Sequence, residues 1–135
     1  MLTYLFDTSA WIAHIFQEPG WEYINALFEE DGSSIGICVV SLAELHGRLK
    51  ALGSEEQFEP LLEFYRPLFD RIVPVDENVA SRAIALRNAA TDRLPSLDAF
   101  IAGAGSLHKA VLIHRDAHFT AIPLDLLQQR LLPEK

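Results

Sequence analysis

The sequence has 135 residues, of which 50% are hydrophobic and 22% are charged, a composition that excludes a disordered chain and favours one folded domain. Nineteen acidic residues against eleven Lys and Arg give a net charge of −8, which disfavours a protein that coats nucleic acid non-specifically. The single cysteine, Cys38, excludes an intrachain disulfide and a multi-thiolate zinc site, and no apolar run reaches the roughly 18 residues of a membrane span. We therefore expect a soluble cytoplasmic protein.

Short apolar runs alternate with helical segments along the first half of the chain. The run 2–6 contains strand-forming residues and stops at Asp7, which is typical of a strand followed by a turn. Pro19 and Gly20 separate the two helical segments that follow, and the run 35–40 is apolar enough for a strand covered on both faces. The elements predicted here are strands at 2–6 and 35–40 and helices at 9–16, 21–30 and 41–52.

The second half of the chain continues the same alternation. Segment 54–70 has a helical composition, but Pro60 and Pro67 predict kinks or two shorter pieces. Gly103 and Gly105 lie inside a predicted helix at a cost of roughly 1 kcal/mol each relative to alanine, which indicates close packing of that helix on the sheet. The elements predicted here are strands at 71–75, 110–114 and 121–123 and helices at 76–93, 96–109 and 125–132.

Strands that alternate with helices indicate βαβ units and a parallel sheet covered by helices. We therefore predict an α/β fold, a three-layer α/β/α sandwich around a central, mainly parallel sheet of four or five strands. No repeat or linker divides the sequence, so residues 1–135 are expected to form a single domain.

Four acidic residues occupy positions where such a fold binds ligands, outside the carboxyl ends of its strands. Asp7 and Asp116 each follow a predicted strand, Glu44 lies one helical turn beyond another, and Asp98 lies in the first turn of a helix. Asp76 also follows a strand and is interpreted as the N-cap of the next helix, which shows that position alone is a weak signal.

Each of the four acids also has a purely structural interpretation. Asp7 and Asp116 are of the type that forms Asx-turns, and Asp98 is favoured by the dipole of its helix. Ser41 and Glu44 have the spacing of a capping box, which for Glu44 alone is the favoured interpretation.

Electrostatics distinguishes the two interpretations if the acids converge. Two carboxylates about 4 Å apart repel by roughly 4 kcal/mol at an effective dielectric constant of 20, so four in one cleft must take up protons or a cation. Oxygen ligands select hard ions such as Mg²⁺ or Mn²⁺, and Mg²⁺ also recruits phosphate oxygens of a substrate. The pattern therefore indicates a site for phosphodiester hydrolysis.

Four segments resemble, in the same order, the signature segments of PIN-domain proteins. They are LFDTSA at 5–10, SLAELHGR at 41–48, LPSLDAFIAGA at 94–104 and HRDAHF at 114–119. The resemblance is closest to the VapC-like ribonuclease toxins of VapBC toxin-antitoxin systems. It implies a Mg²⁺- or Mn²⁺-dependent endoribonuclease, the toxin of a type II pair, that forms a homodimer, has RNA as its substrate and is inhibited by a cognate antitoxin.

The same resemblance implies roles for individual residues. Asp7, Glu44, Asp98 and Asp116 would form the catalytic metal cluster, with Asp7 and Asp98 as direct ligands. The hydroxyl of Thr8 or Ser9 would orient the first segment. Two arginines within the segments, Arg48 and Arg115, are candidates for phosphate contacts.

The sequence leaves two other functions open. His114 and His118 depart from the family pattern, and together with Asp116 they alternate as three ligands on one side of an extended segment, which suggests a zinc hydrolase as an alternative. A non-catalytic PIN-like binding module is the other alternative. Metal dependence distinguishes it from an enzyme.

Overall fold

The computed structural model describes residues 1–134 and confirms the predicted α/β fold. The five strands are β1 Tyr4–Phe6, β2 Ile35–Cys38, β3 Arg71–Val73, β4 Val111–His114 and β5 Gln129–Leu131. The helices are α1 Thr8–Ile15, α2 Trp21–Phe28, α3 Val40–Ala51, α4 Phe58–Tyr65, α5 Glu77–Ala89 and α6 Ser96–Leu107, with 3₁₀ turns at Glu55–Gln57 and Ala117–Ala121. None of the helices in this part of the chain combines the length and hydrophobicity that a membrane span requires.

All five strands are parallel and lie in the order β3-β2-β1-β4-β5. Strand β1 lies at the centre, and Tyr4 pairs with Ile35 on one side and Val111 on the other. All three residues of β1 are buried, as expected for a central strand of a parallel sheet. The chain segments that follow β1 and β4 therefore emerge side by side at one edge.

Strands β1 and β4 alternate their side chains between two hydrophobic cores, one on each face of the sheet. Leu5 and Leu112 pack in the core that includes α5 and α6. Phe6 and Ile113 pack in the core that includes α1, α2 and α4. The three-layer arrangement follows from this alternation, because both faces of the sheet are apolar and each needs a covering layer of helices.

The C-terminal prediction is wrong. A strand was expected at 121–123 and a helix at 125–132, whereas a 3₁₀ turn occupies Ala117–Ala121 and a strand occupies Gln129–Leu131. The amides of Leu126 and Leu127 both donate to the carbonyl of Pro123, which makes one turn that does not continue as a helix. Strand pairing takes over beyond it, because the free edge of β4 supplies backbone partners that a helix would leave unpaired.

The glycines of α6 lie in two different environments. A β-carbon at Gly103 would lie 2.9 Å from the Val79 carbonyl oxygen, so α6 approaches the backbone of α5 at this point. A β-carbon at Gly105 would lie 3.4 Å from Leu127 and 3.6 Å from Leu5 of the sheet, which is ordinary contact. Gly103 therefore permits the close approach of α6 to α5, whereas the position of Gly105 has room for a β-carbon.

We expect Gly103→Ala to destabilise the protein by about 1–3 kcal/mol, because the methyl group must displace backbone. Gly105→Ala is the matched control in the same helix. Its free energy of unfolding should be unchanged or up to about 1 kcal/mol higher, because alanine has the better helix propensity. Urea unfolding of both variants measures the two free energies. Equal effects would contradict the close approach at Gly103.

Candidate active site

The four acids predicted from the sequence line one cleft at the carboxyl edge of the sheet. Asp7 follows β1, Asp116 follows β4, Glu44 lies on α3, and Asp98 lies in the first turn of α6. The cleft has a volume of about 470 Å³. The fold thus brings together acids from four distant segments of the chain.

Asp7 caps α1 and is almost completely removed from water. One carboxylate oxygen accepts the amide of Ala10 at 2.8 Å, and the Ser9 hydroxyl lies 2.7 and 2.8 Å from the two oxygens. The residue is only 3% exposed. Burial raises the pKa of Asp7 to about 7, and the charges of Asp116 and Asp98 add to the rise, while the hydrogen bonds from Ala10 and Ser9 oppose it.

Glu44 is held by a hydroxyl from the first segment, which corrects the capping-box interpretation. Helix α3 begins at Val40, and its N-terminus receives no side-chain cap, so Ser41 lies inside the helix. The hydroxyl of Thr8 donates to Glu44 at 2.5 Å and lies 2.8 Å from the hydroxyl of Ser41. These contacts join the first and second segments across the cleft.

Asp98 and Asp116 share one histidine. Nδ1 of His118 lies 3.3 Å from Asp98 Oδ2 and 2.9 Å from Asp116 Oδ1. Burial, together with the charge of Asp116, raises the pKa of Asp98 to about 6. One ligand atom from each of these three residues lies within 4.8 Å of the others, which is a geometry that can hold a metal ion.

The zinc alternative requires His114, Asp116 and His118 to act together as ligands, and the structure does not arrange them in that way. His114 is fully buried, with Nε2 2.9 Å from the Gln129 side-chain oxygen. Its Nδ1 accepts the backbone amide of Asp116 at 3.2 Å. Both ring nitrogens are therefore engaged within the protein, and Asp98 stands in the metal-binding geometry where His114 was expected.

One acid in the cleft was not predicted. Glu18 lies just before the turn at Pro19 and pairs with Arg115 at 2.9 Å, across 97 residues of sequence. No local pattern marks it, because its partner is distant in sequence. Of the two predicted arginines, Arg48 and Arg115 both line the cleft, but only Arg115 has this ion pair.

The family of the chain follows from a comparison with family models. The model described as "PIN domain" matches residues 4–124. The chain belongs to the PIN-domain family. The matched range includes all four acidic segments of the cleft. No curated protein matches the sequence.

Solved structures with the same fold come from toxin-antitoxin complexes. One of them is VapBC2 from Rickettsia felis, bound to a DNA fragment from the promoter of the VapBC2 genes. A chain of that complex matches this PIN domain with a TM-score of 0.79 and 19% sequence identity, and the match covers 98% of this chain and 100% of that chain. DNA-bound VapBC from Salmonella typhimurium matches with a TM-score of 0.79, 23% identity and coverage of 96% and 98%. A toxin-antitoxin complex from Klebsiella pneumoniae matches with a TM-score of 0.66, 27% identity and coverage of 90% and 93%.

The metal-free protein should lose stability as Asp7 ionises. The pKa of Asp7 rises from 3.8 in the unfolded chain to about 7 in the folded protein. Protonation of Asp7 therefore stabilises the fold fully below pH 3.8, and this stabilisation is lost as the pH rises to about 7. Asp7→Asn removes this loss and should be more stable than the wild type at pH 8 by up to about 4 kcal/mol, with the difference vanishing near pH 4. Urea unfolding in EDTA across this range measures it, and a difference independent of pH would contradict the prediction.

Proposed function

We propose that this PIN-domain protein is a Mg²⁺- or Mn²⁺-dependent endoribonuclease that hydrolyses RNA phosphodiester bonds and acts as the toxin of a type II toxin-antitoxin pair. The observation that supports it best is the convergence of four carboxylates, from segments far apart in sequence, in one cleft. Such a group of acids is costly without a cation.

The donor set of the cleft fits a hard divalent ion. Asp98 and Asp116 present oxygens in a geometry that can hold a metal, with His118 beside them, and carboxylate-rich sets suit Mg²⁺ and Mn²⁺. Asp7 and Glu44 would complete the set directly or through water. When bound, the ion would lower the pKa of an attacking water and offset the negative charge that develops on the phosphate.

The hydroxyl groups around the cleft would keep the acids in place during the reaction. Ser9 contacts both oxygens of Asp7 and accepts the backbone amide of Arg115 at 3.0 Å, so it ties the first segment to the fourth. Thr8 does the same between the first and second segments through Glu44. These contacts orient the charges without adding any, and we assign Ser9 and Thr8 as positioning residues.

An antitoxin protein is the proposed partner. The support is that several solved structures with this fold are toxin-antitoxin complexes, and two of them include bound DNA. We also propose that the protein acts in the cytoplasm, where its RNA substrate is found. We expect it to form a homodimer.

We expect Asp98→Asn and Asp7→Asn to lose at least about 100-fold in RNA cleavage, as when a group that stabilises transition-state charge is removed. Asp76→Asn is the matched control, because Asp76 caps α5 through the Val79 amide and lies outside the cleft, and Asn caps a helix equally well. Cleavage of total RNA in Mg²⁺ or Mn²⁺, with and without EDTA, measures the effect.

Three results would count against the proposal. Cleavage unaffected by EDTA would exclude metal dependence, and cleavage supported by Zn²⁺ alone would favour the zinc hydrolase. A folded wild type that binds no divalent ion and cleaves no RNA would favour the binding module. Calorimetric titration with Mn²⁺ gives the metal binding independently of activity.

A further inference from the structure

Two arginines lie on the wall of the acidic cleft, and their guanidinium groups are in opposite situations. Arg115 is bound to the protein through all three of its side-chain nitrogens. Nε donates to the Pro133 carbonyl at 2.8 Å, one terminal nitrogen donates to Glu18 at 2.9 Å, and the other donates to the Pro19 carbonyl. Its side chain is only 10% exposed. All three side-chain nitrogens of Arg115 are therefore engaged in contacts within the protein.

Arg48 is exposed at the same cleft and has no such partners. It lies four residues after Glu44 on α3, a spacing at which Glu and Arg usually pair on a helix surface. Here the hydroxyl of Thr8 binds the Glu44 carboxylate at 2.5 Å. Within residues 1–134, the side chain of Arg48 makes no hydrogen bond or ion pair. The structure therefore leaves one cation free at the mouth of a negatively charged cleft.

We propose that Arg48 binds the phosphate next to the scissile one, and that Arg115 holds the wall of the cleft instead of contacting RNA. The proposal rests on the proposed function, since it assigns how the same cleft takes its substrate. The Cα atom of Arg48 lies about 6 Å along the helix axis from that of Glu44, so Arg48 stands beside the metal-binding acids and not among them. The guanidinium fork matches phosphate oxygens in a bidentate manner.

This assignment also resolves an electrostatic difficulty of the cleft. The acids that would hold the metal repel every phosphate of an RNA strand that is not on the metal itself. A free cation at the rim offsets that repulsion for the neighbouring phosphate. Arg115 cannot do so without giving up its contacts to Glu18 and to two carbonyl groups.

The first test compares Arg48→Ala with Lys50→Ala, which removes the same charge from the last turn of α3 but outside the cleft. A pool of short single-stranded RNAs of random sequence identifies a cleaved sequence, which then serves as the substrate for both variants. We expect Arg48→Ala to raise KM about tenfold, as for the loss of one charge-assisted hydrogen bond, with kcat within about twofold of the wild type. Lys50→Ala should change neither constant.

The second test asks whether the contact is to the neighbouring phosphate. Replacing that phosphate with an uncharged methylphosphonate should raise KM for the wild type and leave Arg48→Ala unaffected. If the methylphosphonate affects both proteins equally, or if Arg48→Ala lowers kcat at unchanged KM, the assignment of Arg48 is overturned.

A measurement of RNA binding tests the Arg48 contact independently of the proposed nuclease activity. In an Asp98→Asn background, fluorescence anisotropy with the random RNA pool should show about tenfold weaker binding after Arg48→Ala than after Lys50→Ala. If the wild type cleaves no RNA but this difference is present, the nuclease proposal fails and the Arg48 contact stands. Equal binding by the two variants overturns the Arg48 contact whether or not RNA is cleaved.

The third test addresses Arg115. Arg115→Ala should lower the midpoint of thermal unfolding by several degrees, because it removes the hydrogen bonds of Arg115 to Glu18 and to two carbonyl groups, whereas Arg48→Ala should not change it. Arg115→Lys should recover part of the loss, since it restores the ion pair with Glu18. If Arg115→Ala leaves the midpoint unchanged and raises KM as Arg48→Ala does, the division of roles is wrong.

Discussion

Burial of negative charge at the carboxyl edge of the sheet is the constraint on which the rest of the molecule depends. Asp7 ends the central strand and is 3% exposed, and burial raises its pKa to about 7. Asp98 and Asp116 lie in the same cleft, and the charge of Asp116 adds to the rise in the pKa of both Asp7 and Asp98. A fold tolerates this only if something offsets the repulsion, and the available means are hydrogen bonds, protons or a cation. In this molecule the fixed partners of Asp7 and Glu44 are hydroxyl and amide groups, which orient the acids without adding positive charge, and the proposed metal ion would balance the charge that remains.

Position in the α/β topology made the acids predictable, because the end of a strand is a local property that the hydrophobic pattern shows. Their partners were not predictable, since they come from other segments. Ser41 and Glu44 match a capping box in sequence, but Thr8, which lies 36 residues before Glu44, binds that carboxylate instead. His118 was considered as a ligand with His114, whereas its contacts are with Asp98 and Asp116. A spacing rule describes which groups can meet within one element, and tertiary packing decides which groups do meet.

The fold itself was predictable to the extent that burial determined it. Apolar runs that alternate with helical segments identified the first four strands, and both faces of the sheet are covered as that pattern requires. Strand β5 lacked this signal because it lies at the edge of the sheet, where Arg130 and Leu131 are both exposed. Its identity depends on pairing with β4, and a preference for helix in residues 125–132 could not show that.

The unpredicted strand also matters for the site, because β5 supports the fourth acidic segment. The amide of Leu132 donates to the His114 carbonyl at 2.6 Å, and the side chain of Gln129 holds the His114 ring. The Nδ1 of that ring accepts the backbone amide of Asp116, so the edge strand fixes the backbone from which this acid projects. Just beyond the strand, the Pro133 carbonyl accepts from Arg115, which in turn binds Glu18, another residue of the cleft. The C-terminal segment is therefore part of the framework of the cleft, and this explains how a buried histidine with both nitrogens engaged can occupy the fourth segment without being a metal ligand.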